Sequence, residues 1–148
     1  MRPNLPIQGS LGINERQGLL IMPFKPAWAK GVEKAVSAAL ARCGMKCLRA
    51  DRLRGRDVIL DVWRSICSSG VIVADLTGGN ANVMYELGLA EAIGKRILLV
   101  SQDDDHAFDI RGLRFIKYSA EDLQALTAEL CRSLRHGMAP RGRTAPDA

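Results

Sequence analysis

The stretch that decides the fold is VIVADLTGGNANVMYELGLAEAIGKRILLVS, residues 71–101. It opens with an apolar run that ends at Asp75, passes through a turn of glycine and asparagine, and then shows helical periodicity until a second apolar run begins at Ile97. Short continuous apolar runs are typical of strands buried on both faces of a parallel sheet. The stretch therefore predicts a strand, a crossover helix and a second parallel strand.

The same alternation extends in both directions along the chain. Strands are predicted at 18–24, 46–51, 71–77, 96–102 and 114–119, and helices at 27–44, 56–70, 82–94 and 120–137. Alternating strands and helices form a parallel sheet covered on both faces, and five strands suit the order 2-1-3-4-5. We expect an α/β, flavodoxin-like three-layer sandwich as one domain at 17–137, with a flexible arm at 1–16 and a disordered tail at 138–148.

Composition excludes several classes of protein. The chain has 148 residues, of which 47% are hydrophobic and 25% charged, as in one globular domain. No apolar run approaches the length of a membrane span and no signal segment is recognised, so we expect a cytoplasmic protein. The four cysteines lack C-x-x-C spacing and are interpreted as reduced packing residues, and no metal or cofactor is expected. The net charge is +5, but only 5% of residues are aromatic, which disfavours nucleic-acid binding.

The topology also predicts where a ligand binds. Ligands of open parallel sheets lie beyond the carboxyl ends of the strands, where the strand order reverses, which here is between the first and third strands. Glu86 reaches this region from the third helix, because it lies three residues after Val83 and four before Ala90 on the inward stripe. The other residues expected to gather there are Met22, Pro23, Phe24, Arg49, Asp51, Asp75, Gly78, Gly79, Asn80, Asn82 and Asp109.

The two acidic residues Glu86 and Asp75 each have two interpretations. Glu86 either complements the helix dipole, an effect of roughly 0.3 to 1 kcal/mol at exposed positions, or takes part in a reaction at the predicted site. It does not fit a capping box, because with Asn82 as N-cap the reciprocal acid belongs at position 85. Asp75 either caps the turn after its strand or acts as a second carboxylate. Two acids in one crevice point to glycosyl chemistry, in which one carboxylate meets the anomeric carbon and another polar group handles the leaving group or the sugar hydroxyls.

The string ADLTGGNANVMYELGLAEAIGKRILLV, with IMPF before it and FDIRGLRFIKYS after it, resembles the nucleoside 2-deoxyribosyltransferase-like superfamily and the related TIR-like proteins. The resemblance covers residues 18–119. It implies that Glu86 attacks or stabilises the ribosyl anomeric carbon, and that Asp75 contacts the sugar or assists departure of the base. The chain has LIMPF where the transferases carry Y-x-A-G-P, and Asn80 where they carry aspartate. A nucleotide hydrolase, an N-glycosidase that acts on a nucleoside 5'-monophosphate or a related nucleotide, is therefore expected ahead of a deoxyribosyltransferase, which stays open.

The basic residues suggest how such a nucleotide is held. Arg49, with the amides of Gly78 and Gly79, is expected to bind a 5'-phosphate. Two other functions stay open: a non-catalytic module that senses nucleotides, and a TIR-like NAD hydrolase that is active on oligomerisation. The apolar helix at 57–68, which contains Trp63, suggests a homodimer or higher homo-oligomer. The DDDH sequence at 103–106 is interpreted as a turn or helix cap.

Overall fold

The computed structural model describes residues 12–52, 58–104 and 114–136, which form one parallel sheet with helices on both faces. The sheet has the order β2-β1-β3-β4-β5, and all its neighbouring strands run parallel. This confirms the predicted fold class. The elements are β1 (Asn14–Ile21), α1 (Ala29–Arg42), β2 (Lys46–Arg49), α2 (Val58–Ser68), β3 (Ser69–Asp75), α3 (Ala81–Ala92), β4 (Ile97–Ser101), β5 (Ile116–Lys117) and α4 (Leu123–Arg135).

Two apolar cores lie on the two faces of the sheet. Successive residues of a strand point to opposite faces, so the two cores take alternate residues of each strand. Leu20 and Val73 belong to the core that α1 and α4 cover. Leu19 and Ile72 belong to the core that α2 and α3 cover. The same alternation determines which carboxylates can lie in one cavity.

The first strand begins earlier than the sequence predicts. It starts at Asn14, so residues 14–16, predicted as part of the arm, belong to the sheet. Asn14 pairs with Ser69 of β3, and the register shifts between Asn14 and Gly18. The side chains of residues 14–16 are exposed, so no apolar pattern marks them. Backbone pairing alone extends the strand here. The rest of the predicted arm up to residue 11, and the tail at 138–148, lie outside the described residues.

The turn between β3 and α3 fixes where the third helix starts. Gly78 and Gly79 have φ values of 79° and 62°, in the left-handed region that glycine adopts without strain. Asn80 then caps the helix, because its side chain accepts hydrogen bonds from the backbone amides of Asn82 and Val83 at 3.0 and 3.2 Å. The predicted N-cap, Asn82, is therefore wrong by two residues. Glu86 lies in the second turn of α3, beyond the capping positions.

No helix within the described ranges has the length and apolar character needed to cross a membrane. The cytoplasmic location stays a prediction.

Candidate active site

A cavity of about 760 Å³ opens at the carboxyl ends of β1 and β2, between α2 and α3. Its volume lies in the range of small-molecule sites. Its position is the edge of the sheet that the topology predicts for a ligand. Seven of the predicted site residues line it: Met22, Pro23, Phe24, Asp51, Asn80, Asn82 and Glu86.

Glu86 is the half-buried acid of this cavity. Burial, and secondly the negative charge of Asp51, raise the pKa of the Glu86 carboxyl from 4.5 to about 7. Burial raises an acidic pKa because the charged form loses solvation, and a neighbouring like charge adds to the effect. The carboxyl therefore changes charge near neutral pH, as the catalytic acids and bases of enzymes often do.

The charge of Glu86 gives a prediction about pH. If ionised Glu86 is the reactive form, kcat/KM rises with pH and reaches half its maximum near pH 7. Asp51→Asn removes the repulsion between the two carboxylates, so we expect the midpoint of the pH dependence to move to lower pH. Titration of the Glu86 carboxyl by NMR measures the same midpoint without turnover. A midpoint that is unchanged in Asp51→Asn would show that the two carboxylates do not interact.

Asp75 is not among the residues that line the cavity. The side chain is fully buried. Its Oδ1 accepts hydrogen bonds from the Thr77 amide at 2.9 Å and the Thr77 hydroxyl at 2.6 Å, and its Oδ2 accepts one from the Tyr118 hydroxyl at 2.5 Å. Burial raises the pKa of Asp75 in spite of these bonds. These bonds fit the alternative interpretation, a carboxylate that caps the turn after its strand, and the catalytic role of Asp75 stays a prediction.

The strand period explains why Asp75 and Glu86 do not meet. Asp75 follows Val71 and Val73 at intervals of two, and both valines belong to the core under α1 and α4. Tyr118, the partner of Asp75, belongs to the same core. Glu86 comes from α3, on the other side of the sheet. The two acids therefore lie on different sides of the sheet.

Tyr118 is a structural residue that sequence reasoning missed. Its hydroxyl accepts a hydrogen bond from Gln102 Nε2 at 3.1 Å while it donates to Asp75. The Gln102 amide in turn donates to the Thr77 hydroxyl at 3.0 Å. These bonds join the carboxyl ends of β3, β4 and β5. The available signal was that Tyr118 and Asp75 both follow strands that end at the same edge of the sheet.

Arg49 has partners other than the predicted phosphate. Its Nε and Nη2 donate to the two oxygens of Asp51 at 2.8 and 2.5 Å, and its Nη1 donates to Glu33 on α1 at 2.8 Å. The guanidinium also lies 4.0 Å from the centroid of the Phe24 ring. The Arg49 guanidinium is already bonded to two carboxylates. Through its contacts with Asp51 and Phe24, it positions two residues of the cavity.

The glycine amides expected to cradle a phosphate are also occupied. The Gly78 amide donates to Asp103 Oδ2 at 2.6 Å, and the Gly79 amide donates to the Leu76 carbonyl at 3.1 Å. The Asp103 carboxylate would repel a phosphate placed at this turn. A phosphate bound by Arg49 and the two glycine amides would have to displace these partners, and the phosphate site stays a prediction. Asp109, the remaining predicted binding residue, lies outside the described residues.

The carboxylates at 103 and 104 serve local structure. Asp103 binds the Gly78 amide, as above, and Asp104 forms an ion pair with Lys117 at 2.6 Å. The other two residues of the DDDH sequence lie outside the described residues. Among the residues that the structure places, no group of three or more histidines, cysteines or acids is arranged to hold a metal ion.

Sequence reasoning missed a largely apolar rim of the cavity. Lys25 and three exposed residues line it: Val58, Ile59 and Tyr85. The three side chains retain 56%, 44% and 52% of their exposure, respectively. The position of Tyr85 directly before Glu86 could have indicated that it lines the cavity. The gap between α2 and α3 that exposes Tyr85, however, has no sequence signature.

Fewer apolar side chains of α2 are exposed than the sequence suggests. Val62, Trp63 and Ile66 are buried within the chain's own fold, and only Val58 and Ile59 of the five apolar positions are exposed. The homo-oligomer based on this helix stays a prediction.

Comparison with known proteins identifies the fold. No family model matches the chain, and no curated protein matches it. Among solved structures, the TIR domain of a Toll-related receptor from Hydra magnipapillata superposes with a TM-score of 0.63 at 14% identity, covering 80% of this chain and 97% of that domain. A 2-deoxyribosyltransferase from Leishmania mexicana gives a TM-score of 0.54 at 18% identity over 77% of this chain and 97% of its own.

A third solved structure has the same fold. The CMP N-glycosidase of Clostridium botulinum superposes with a TM-score of 0.55 at 22% identity, covering 74% of this chain and 97% of its own. The superfamily suggested by the sequence therefore includes structures with the fold of this protein. At these identities the likeness establishes the fold alone.

Proposed function

We propose that this protein is an N-glycosidase that cleaves the bond between base and sugar in a nucleoside or nucleotide, with Glu86 as the nucleophile. The observation that carries the proposal is the half-buried Glu86 carboxyl in the wall of a cavity large enough for such a ligand. Its pKa of about 7 leaves a substantial ionised fraction at neutral pH.

The reaction would proceed in two steps. A carboxylate oxygen of Glu86 forms a bond to the anomeric carbon while the bond from that carbon to the base nitrogen breaks, and the electron pair leaves with the base. The base then takes a proton from solvent. In the second step water attacks the anomeric carbon of the glycosyl ester and gives one proton to solvent while the bond to Glu86 breaks, which releases the sugar and returns the Glu86 carboxylate.

The fold comparison supports this class of reaction. Two of the solved structures that share the fold are a CMP N-glycosidase and a 2-deoxyribosyltransferase. Both names describe chemistry at the sugar carbon of a nucleoside or nucleotide. Glu86 also lies in the segment whose sequence resembles that superfamily.

The test is a screen for released base. The protein is incubated with pooled nucleosides, nucleotides and NAD, and free bases are measured by mass spectrometry with Glu86→Gln as the matched control. Release by the wild-type protein alone supports the proposal. Tight binding with no release under any condition would favour the alternative of a nucleotide-sensing module.

A TIR-like NAD hydrolase is the second candidate, and the charge of the cavity favours it. Asp51 and Glu86 place two carboxylates in one cavity. Such a site suits a leaving group that carries positive charge, as the pyridinium of NAD does, because the substrate cation interacts favourably with both acids. Release of nicotinamide that increases more than linearly with protein concentration would identify this function and its dependence on assembly.

Lys25 gives a prediction about the substrate's phosphate. Among the described residues that line the cavity, Lys25 is the one with a positive charge. A charge-assisted bond from Lys25 to a phosphate would make a nucleoside 5'-monophosphate a better substrate than the nucleoside by about tenfold. We expect Lys25→Ala to remove this preference in kcat/KM, whereas Lys30→Ala, which alters an exposed lysine of α1 away from the cavity, preserves it. Equal rates on nucleoside and nucleotide by the wild-type protein would rule out a phosphate site.

A further inference from the structure

Asp51 faces the same cavity as Glu86 but comes from a different part of the fold. It lies in the short turn that follows β2, and its side chain retains 37% of its exposure. Its negative charge, in addition to burial, raises the pKa of Glu86. The cavity therefore holds two carboxylates, one of which has no role in the two-step reaction above.

Arg49 holds Asp51 in a defined orientation. The two parallel bonds from the guanidinium to the carboxylate fix its plane, and Glu33 and the Phe24 ring fix the guanidinium. Each carboxylate oxygen has two acceptor positions, of which Arg49 fills one, and no other residue in the described part of the chain donates a hydrogen bond to either oxygen. An ionised carboxylate accepts hydrogen bonds and donates none. The group is thus a preorganised acceptor that faces a ligand cavity.

The chemistry of the ligand indicates what this acceptor binds. When the anomeric carbon lies against Glu86, the nearest hydrogen-bond donors on the sugar are the hydroxyls that follow the anomeric carbon around the ring. A phosphate is excluded from the position beside Asp51, because two like charges repel each other in a partly desolvated site.

We propose that Asp51, held by Arg49, accepts a hydrogen bond from the 2'-hydroxyl, which lies on the carbon next to the anomeric carbon, and that the site thereby selects ribosyl over 2'-deoxyribosyl substrates. This proposal rests on the proposed function of Glu86. It assigns Asp51 as the residue that determines sugar specificity and Arg49 as the residue that positions it.

The experiment compares a ribonucleoside with the 2'-deoxyribonucleoside of the same base. A hydrogen bond to a charged acceptor gives the wild-type protein a preference for ribose of about tenfold or more in kcat/KM. We expect Asp51→Ala to reduce the ratio to about one, and Asp51→Asn, which keeps an amide oxygen, to give an intermediate ratio. Glu91→Ala, which removes an exposed acid of the same helix as Glu86, should preserve the wild-type ratio.

Binding separates this proposal from the proposed function. Calorimetric titration of Glu86→Gln with the two nucleosides measures the preference without turnover. If the wild-type protein releases no base but ribonucleosides bind more tightly in an Asp51-dependent manner, the specificity proposal stands and the glycosidase function fails. If bases are released and Asp51→Ala keeps the preference for ribose, the specificity proposal fails alone.

Two further outcomes overturn the proposal. If Asp51→Ala changes which base is accepted while the ribose preference remains, the carboxylate binds an amino group of the base. If no nucleoside or nucleotide binds to the wild-type protein, both the specificity proposal and the proposed function are rejected. Asp51→Asn keeps the size and hydrogen-bonding shape of the side chain, so it provides the test if Asp51→Ala does not fold.

Discussion

Glu86→Gln is expected to lower the rate of base release by about a thousandfold or more while ligand binding persists. Glutamine keeps the shape of the side chain but cannot form the glycosyl ester, so the loss falls on kcat and not on affinity. The measurement is release of base from the substrate found in the screen, together with calorimetric binding of that substrate. Turnover at the wild-type rate by Glu86→Gln would reject Glu86 as the nucleophile.

Stability provides the control for this variant. The pKa of Glu86 is higher in the folded chain, at about 7, than the ordinary value of 4.5, so between these values the folded chain holds a proton that the unfolded chain has lost. The contribution of wild-type Glu86 to the free energy of unfolding is therefore fully present below pH 4.5 and is lost as the pH rises through 7. We expect Glu86→Gln to gain stability relative to the wild type as the pH rises over this range. Urea unfolding at pH 4.5 and pH 8 measures the change and shows that lost activity is not lost folding.

Asp75→Ala is expected to lower the free energy of unfolding by about 2 to 5 kcal/mol. The substitution leaves the buried Tyr118 hydroxyl and the half-buried Thr77 hydroxyl without their acceptor, and each such loss at a buried position costs about 1 to 3 kcal/mol. Tyr118→Phe removes one bond of the same group and should cost about 1 to 3 kcal/mol. Urea unfolding of the three proteins at one pH measures these differences.

Activity separates the structural role of Asp75 from the catalytic role that the sequence suggested. Asp75 is fully buried and bonded to Thr77 and Tyr118, so its effect on the cavity is indirect. We expect Asp75→Asn, which retains the side-chain shape, to keep kcat within a few fold of the wild type wherever it is folded. A loss as large as that of Glu86→Gln in folded Asp75→Asn would restore Asp75 to the catalytic group.

The sequence by itself determined the elements and the order of the sheet. Buried parallel strands are continuously apolar and crossover helices have one apolar stripe, so both can be recognised from local periodicity. The same periodicity placed Glu86 beside the inward stripe of α3, and the structure brings it into the cavity wall. The start of β1 at Asn14 escaped prediction, because backbone pairing with Ser69 leaves no apolar pattern.

Only the tertiary structure decided which polar groups meet. Asp75 and Arg49 end strands and Asp51 follows one, all at the same edge of the sheet, and the sequence assigned all three to the ligand. The structure pairs Asp75 with Tyr118, and it pairs Arg49 with Glu33 of α1 and with Asp51, which lines the cavity. The physical reason is that periodicity reports whether a residue faces the core, whereas the bonds from Tyr118 to Asp75 and from Arg49 to Glu33 depend on the positions of two elements distant in the chain. For Asp75 and Tyr118 that separation is 43 residues.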